Sequence, residues 1–328
     1  MTGKLLDPAL AGRLEKYRLV RTLPVPDGYA GGRRSPRKGG AVEFADYREY
    51  APGDEPRRVD WKAYARLGRL YVKEYLDEKQ DAVLFIIDTS ASMDWGSGDE
   101  HKGRYALRLA AGLGTCVLAG SDRLAVVTGS GPVPDKSSTV SPGAGDGGSI
   151  KDTVNSEALT DKRQPVRALA PSSGRQSLPR LWQWLGETAF TGGTDLPGCL
   201  RKGFKLQPGT TGLYVFSDLL DPAGVDELLR LAAGQGVDIT LLHILAPGEL
   251  EPPGEGEWTM VDAETGERVE VSLTPAALAD YGARLNSYIA SLESSCRRWN
   301  ARRVQLSTAG ALPDVLLREL PQAGVLRN

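Results

Sequence analysis

Five residues in three short segments carry oxygen donors where an α/β chain does its chemistry. Asp88, Ser90 and Ser92 stand at alternate positions in VLFIIDTSASMDWG (83–96), directly after five apolar residues. Thr194 lies in TGGTDL, and Asp218 ends GLYVFSD. Together they offer carboxylates and neutral hydroxyls, with no sulfur or imidazole. That donor set suits a hard divalent cation, Mg²⁺ first, with Mn²⁺ or Ca²⁺ accepted by the same oxygens. With few anionic ligands the ion stays electrophilic, so a carboxylate from outside could complete its shell. A competing reading makes Asp88 and Ser90 caps of the helix that follows, and Thr194 a cap behind a Gly192-Gly193 turn. Three segments in the same order and topology weigh toward a shared site.

The elements that must position these donors follow from periodicity. From Asp81 onward, apolar strand-like runs (82–88, 123–129, 165–170, 212–218, 237–245, 303–307) alternate with helical patterns (102–119, 176–188, 196–205, 224–234, 275–300). The runs are short and rich in apolar and β-branched residues, as strands covered on both faces are. In 275–300, Leu278, Tyr281, Leu285, Tyr288, Leu292, Cys296 and Trp299 form one stripe at three- and four-residue steps, begun by Thr274 and Pro275. Alternation of this kind predicts an α/β fold: a doubly wound, mostly parallel sheet with helices on both faces. Ligands in such sheets bind at the carboxyl ends of the strands, where Asp88 and Asp218 fall. Residues 81–312 are read as this domain, with an insertion over 131–164 rich in Gly, Ser and Pro. Residues 1–80 form an N-terminal extension and 313–328 a C-terminal tail or helix.

DTSAS, TGGTDL and FSDLLD resemble the metal-ion-dependent adhesion site of von Willebrand factor type A domains. The resemblance implies a Rossmann-like three-layer fold and one divalent ion held by Asp88, Ser90, Ser92, Thr194 and Asp218. Asp195 and Asp221 are left as structural neighbours. The N-terminal EFADYREYAPGDEPRRVDWKAYARLGRLYVKEY, with LLHILAPGELEPP and DAETGE further on, resembles domain-of-unknown-function family 58. That resemblance implies association with a MoxR-type AAA+ ATPase. It points to an adaptor whose bound ion receives a partner's Glu or Asp, and to no enzyme activity of its own.

Other functions are weighed against the same residues. A phosphohydrolase using Asp88 as nucleophile would need a second acid where Ser90 stands. No G-x-x-x-x-G-K-[ST] is present, so ATP hydrolysis would belong to another protein. A Ser90–His243 triad lacks the G-x-S-x-G elbow, and His243 reads as a core or strand-end residue. Net charge of -2 gives no general attraction to nucleic acid. From Arg33 to Lys73, 11 basic residues face 6 acidic ones. This is a docking or nucleic-acid surface, or an internal network of Arg57, Arg58 and Arg66 with Asp54, Glu55 and Asp60. The interleaved acids favour the network, and Trp61 is expected in the core. Cys116, Cys199 and Cys296 are too few and too scattered for a disulfide framework, and each is expected buried on a helix. With no signal peptide or spanning segment in the sequence, a soluble, cytoplasmic protein without membrane insertion is expected.

Overall fold

The computed structural model describes residues 5–21, 43–51, 59–76, 80–129, 131, 166–252, 254–263 and 267–328. Apart from Gly131, the expected insertion over 131–164 lies outside these residues, as do Asp54, Glu55, Arg57 and Arg58 of the expected network. The chain divides into two compact units, Met1–Val25 with Asp81–Asn328, and Pro26–Gln80.

The larger unit begins with α1 (Pro8–Leu14) and β1 (Arg18–Leu19). The smaller unit follows with β2 (Glu43–Glu49), α2 (Trp61–Leu67) and β3 (Tyr71–Leu76). Strands β2 and β3 pair antiparallel, with a register shift between Phe44 and Asp46. Asp60 caps α2 by accepting from the Lys62 and Ala63 N–H groups. Trp61 is not in a core: it is 61% exposed, with Leu67 and Tyr64 exposed on the same helix. A unit this small has little interior to offer, and that overrides the general preference of aromatic rings for burial.

The larger unit resumes with β4 (Ala82–Asp88), α3 (Lys102–Ala119), β5 (Arg123–Gly129), β6 (Arg167–Ser172), α4 (Leu178–Gly186) and α5 (Leu196–Leu206). Then come β7 (Gly212–Ser217), α6 (Pro222–Ala233), β8 (Asp238–Leu245) and the single turn α7 (Pro247–Leu250). The chain continues through β9 (Gly256–Val261), β10 (Arg268–Leu273), α8 (Pro275–Arg298) and β11 (Arg302–Ser307). Helical turns over 312–322 include a π-turn at Val315–Glu319, and β12 (Leu326–Arg327) ends the fold.

Six strands form the central sheet in the order β11-β8-β7-β4-β5-β6. All neighbours are parallel except β6, which runs antiparallel to β5 along one edge. Pro171, which has no N–H to donate, fits that edge position. The sheet is covered on both faces. Phe85, Ile87, Val126, Phe216 and Ile244 pack under α1, α3, α4 and the C-terminal turns. Leu84, Ile86, Val127, Val215 and Leu241 pack under α5, α6 and α8. Every residue of β4, β7 and β8 is buried, which explains their largely apolar character. Cys116, Cys199 and Cys296 are free and buried on α3, α5 and α8.

Two features depart from the sequence reading. Residues 5–21, grouped there with the N-terminal extension, place Leu6, Leu10 and Leu14 in the main core. There they join Leu316, Leu320 and Val325 from the C-terminal segment, and β1 pairs antiparallel with β12. The second departure is a hairpin, β9–β10, for which no strands were expected. Among the described residues no helix is long and apolar enough to cross a membrane.

Candidate metal centre

Strands β4 and β7 are parallel neighbours in a register that sets Ile87 opposite Phe216, so both leave the sheet at its carboxyl end. Asp88 ends the first and Asp218 follows the second, both wholly buried. Asp88 Oδ1 accepts the Ser90 N–H at 2.9 Å, and Oδ2 accepts the Ser217 hydroxyl at 2.6 Å. Ser217 Oγ accepts in turn from the Leu219 N–H at 2.9 Å. Leu219 holds a left-handed backbone (φ 55°), costly for a branched side chain. Its carbonyl accepts the Tyr288 hydroxyl from α8, which helps to hold that conformation. Asp218 is therefore delivered by a turn pinned on both sides.

The DTSAS loop turns through one 3₁₀ turn, Ala91–Met93, with Ser90 buried and its hydroxyl 3.0 Å from that of Ser92. Ser90 precedes that turn without making a side-chain cap bond, and the cap of α3 is His101, whose Nδ1 accepts the Arg104 N–H. The TGGTDL loop is stitched to its neighbours through the backbone. The Thr191 N–H donates to the Thr89 carbonyl and the Ala91 N–H to the Gly192 carbonyl, both at 2.8 Å. Gly193 and Gly131 form a two-bond bridge. Gly192, at φ 79°, makes this crossing possible, since a side chain there would be strained. Asp195 caps α5 through the Gly198 N–H, so that role does not fall to Thr194. Asp221 stands at the cap position of α6 without a side-chain cap bond.

Ser92 and Thr194 line one open cavity of about 530 Å³, together with Lys102, Glu249, Trp95 and Leu220. Trp95 and Leu220 are substantially exposed, an apolar rim on a polar floor. The structure thus brings all five sequence-identified donors to the carboxyl end of the sheet. Burial pushes the Asp88 carboxyl up to about 6; the nearby Asp218 charge adds to this, and the Ser217 and Ser90 hydrogen bonds oppose it. Two crowded carboxylates flanked by hydroxyls fit a hard divalent cation, whose charge would relieve their repulsion. Among the described residues no group of three or more His, Cys, Asp or Glu side chains is placed to hold an ion, so an ion at this site would rely on the hydroxyls as well.

Sequence reasoning missed Lys102, Glu249 and Ser217. Lys102, at the first position of α3, is 1% exposed. Its ammonium donates to Asp218 Oδ2 at 2.8 Å and to Glu249 Oε1 at 2.7 Å. Burial alone would push its pKa down, but the two carboxylates outweigh it and hold the ammonium above its ordinary range. Glu249 Oε2 accepts the Ala246 N–H at 2.8 Å, and the Glu249 carbonyl accepts the Tyr281 hydroxyl at 2.7 Å. A lysine at a helix N-terminus, where the dipole disfavours a cation, was the available signal. His243 is buried on β8 as expected, and its Nδ1 accepts from Arg303 at 3.0 Å. Burial, then the Arg303 charge, pushes it down to about 4.

A family described as "Protein of unknown function DUF58" matches residues 46–144 and 150–287. Curated relatives include the uncharacterized proteins Mb1516 of Mycobacterium bovis and Rv1480 of Mycobacterium tuberculosis. Each is 24% identical over 311 residues, covering 94% of this chain and 88% of the relative. Among solved structures, BatB from Bacteroides thetaiotaomicron is similar at 11% identity and a TM-score of 0.41, over 74% of this chain and 98% of that one. An aerotolerance-related membrane protein from Bacteroides fragilis is similar at 13% identity and the same TM-score, with the same coverage. With the family match spanning most of its length, the chain belongs to the DUF58 family.

Proposed function

We propose that this chain is a metal-dependent protein-interaction module, a von Willebrand factor A-like domain whose adhesion site holds one divalent cation, Mg²⁺ first. Asp88, Ser90, Ser92, Thr194 and Asp218 would hold the ion, and a Glu or Asp of a partner would complete its shell. The observation that carries this reading is the convergence of those five donors at the carboxyl end of the sheet, with Ser92 and Thr194 opening onto a solvent cavity. The cavity has room for a carboxylate side chain, and the apolar rim of Trp95 and Leu220 suits a folded partner's surface. By family resemblance the partner is a MoxR-type AAA+ ATPase, and the pair would remodel or assemble a client. Asp88 is a poor candidate for a nucleophile, because both its oxygens accept hydrogen bonds and it is wholly buried.

The test is affinity capture from native extract, with the full chain as bait in Mg²⁺, in chelator, and as Asp88→Ala. Retention of an AAA+ ATPase by wild type in Mg²⁺ alone is the expected result. Equal retention under all three conditions would move the contact away from the ion and overturn the mechanism.

A further inference from the structure

Lys102 stands where three forces oppose a cation. It is buried, it opens a helix whose dipole repels positive charge, and it adjoins a site suited to another cation. Asp218 and Glu249 hold it there. Its ammonium occupies Asp218 Oδ2, while Asp218 Oδ1 faces the Leu220 N–H at 3.4 Å. Glu249 cannot swing freely toward the ion, because its second oxygen is bound to the Ala246 N–H. The ammonium thus faces two carboxylates, Asp218 and Glu249, while Asp88 is a further buried acid beside Asp218.

We propose that Lys102 is a positioning residue that acts as a tethered competitor of the divalent ion. Its ammonium holds Asp218 Oδ2 away from direct ligation and keeps the ion's affinity low, and Glu249 is the anchor that receives the ammonium when the ion draws on Asp218. This inference rests on the metal-site reading above. It makes ion binding a release of Lys102 from Asp218 while its bond to Glu249 remains, so the state of the site is transmitted to the α7 turn that Glu249 belongs to. A weakly held ion also remains dependent on an outside carboxylate, which ties its residence to partner binding.

The two partners of the tether predict opposite signs. Lys102→Met removes the competing charge and should tighten ion binding by about tenfold or more, the scale of one unit charge a few ångströms away in a screened interior. Glu249→Gln leaves the ammonium with Asp218 alone and should weaken binding. A purely structural role would weaken binding in both. The measurement is titration of the full-length protein with Mn²⁺ alone, following free Mn²⁺ by electron paramagnetic resonance, with wild type, Asp88→Ala, Lys102→Met and Glu249→Gln. Circular dichroism verifies that each variant folds. The double variant Lys102→Met/Glu249→Gln leaves no uncompensated glutamate, and it should also bind more tightly than wild type if Lys102→Met alone does not fold.

Wild type binding, Asp88→Ala not binding, and folded Lys102 variants binding more tightly would support the proposal. Wild type binding Mn²⁺ with Lys102 variants equal or weaker would overturn the tether and leave the site intact. Undiminished binding by Asp88→Ala, or no binding by any variant, would overturn the site and the tether together.

Discussion

At the scale of single residues, Asp88 is a liability to the fold when no ion is bound. Its folded-state pKa of about 6 lies above the unfolded value of 3.8, so the folded chain holds its proton more tightly. Stability from this group is therefore greatest below about pH 4, falls as pH rises to about 6, and is level beyond. The two-unit difference corresponds to at most about 3 kcal/mol. Asp88→Asn should stabilise the ion-free protein at pH 7.5 by about 1–3 kcal/mol and remove about half of the slope between pH 4 and 6. A residual slope should remain from Asp122, which burial also pushes up to about 6. Urea melts at pH 4.5 and 7.5 measure this, and an unchanged slope in the variant would exclude Asp88 as its source. Four of the five residues were legible in the sequence because they sit in compact segments at the ends of β4 and β7, and Thr194 because of the glycine turn before α5. Lys102 and Glu249 were not, because the pairs they make span 116 and 147 residues and no local pattern encodes them.

At the scale of elements, α3 sits close against the segment that leads into TGGTDL. A methyl group placed on Gly103 would lie 2.3 Å from the Phe190 ring, which also packs beside His101. Gly103→Ala should cost about 1–3 kcal/mol by overpacking. Adding Phe190→Ala should recover part of that loss, a non-additivity that a double-mutant cycle by thermal unfolding would read. Full additivity would mean that the two residues do not press on each other. The central strands and the long helices were legible because burial on both faces writes a continuous apolar run and burial on one side writes a stripe. The β9–β10 hairpin carried a weaker signal: Trp258 and Met260 alternate with polar residues, as do Val269 and Val271. Trp258, Met260 and Val269 remain largely exposed, so no core sharpened that pattern. The direction of β6 was not legible either, since an apolar run reads the same in both senses.

At the scale of the whole molecule, the larger unit is closed by its own two ends. Arg18 and Leu19 pair with Arg327 and Leu326, and Val325 and Leu326 are buried beside the N-terminal leucines. Ending the chain after Gly324 would remove both apolar side chains and the β1–β12 pairing. Each buried side chain contributes about 1.5–3 kcal/mol, so a loss of about 3–5 kcal/mol is expected. An unchanged urea midpoint in the truncated chain would contradict this. Such closure is hard to read in a sequence, because PALAGRL and GVLRN are too short to show a period and their partner segments lie at opposite ends of the chain.

Trp95 supplies an optical consequence. Its indole lies against Gly248, where an added methyl would come within 3.0 Å of the ring, and it lines the cavity beside Ser92 and Thr194. Of the six tryptophans it is the one that lines this cavity, and at 44% exposure it emits from a partly hydrated setting. An occupant that displaces water there changes the ring's polarity directly, so the protein carries a native fluorophore at the mouth of its candidate site. The site's filling becomes a colour change, readable without any label.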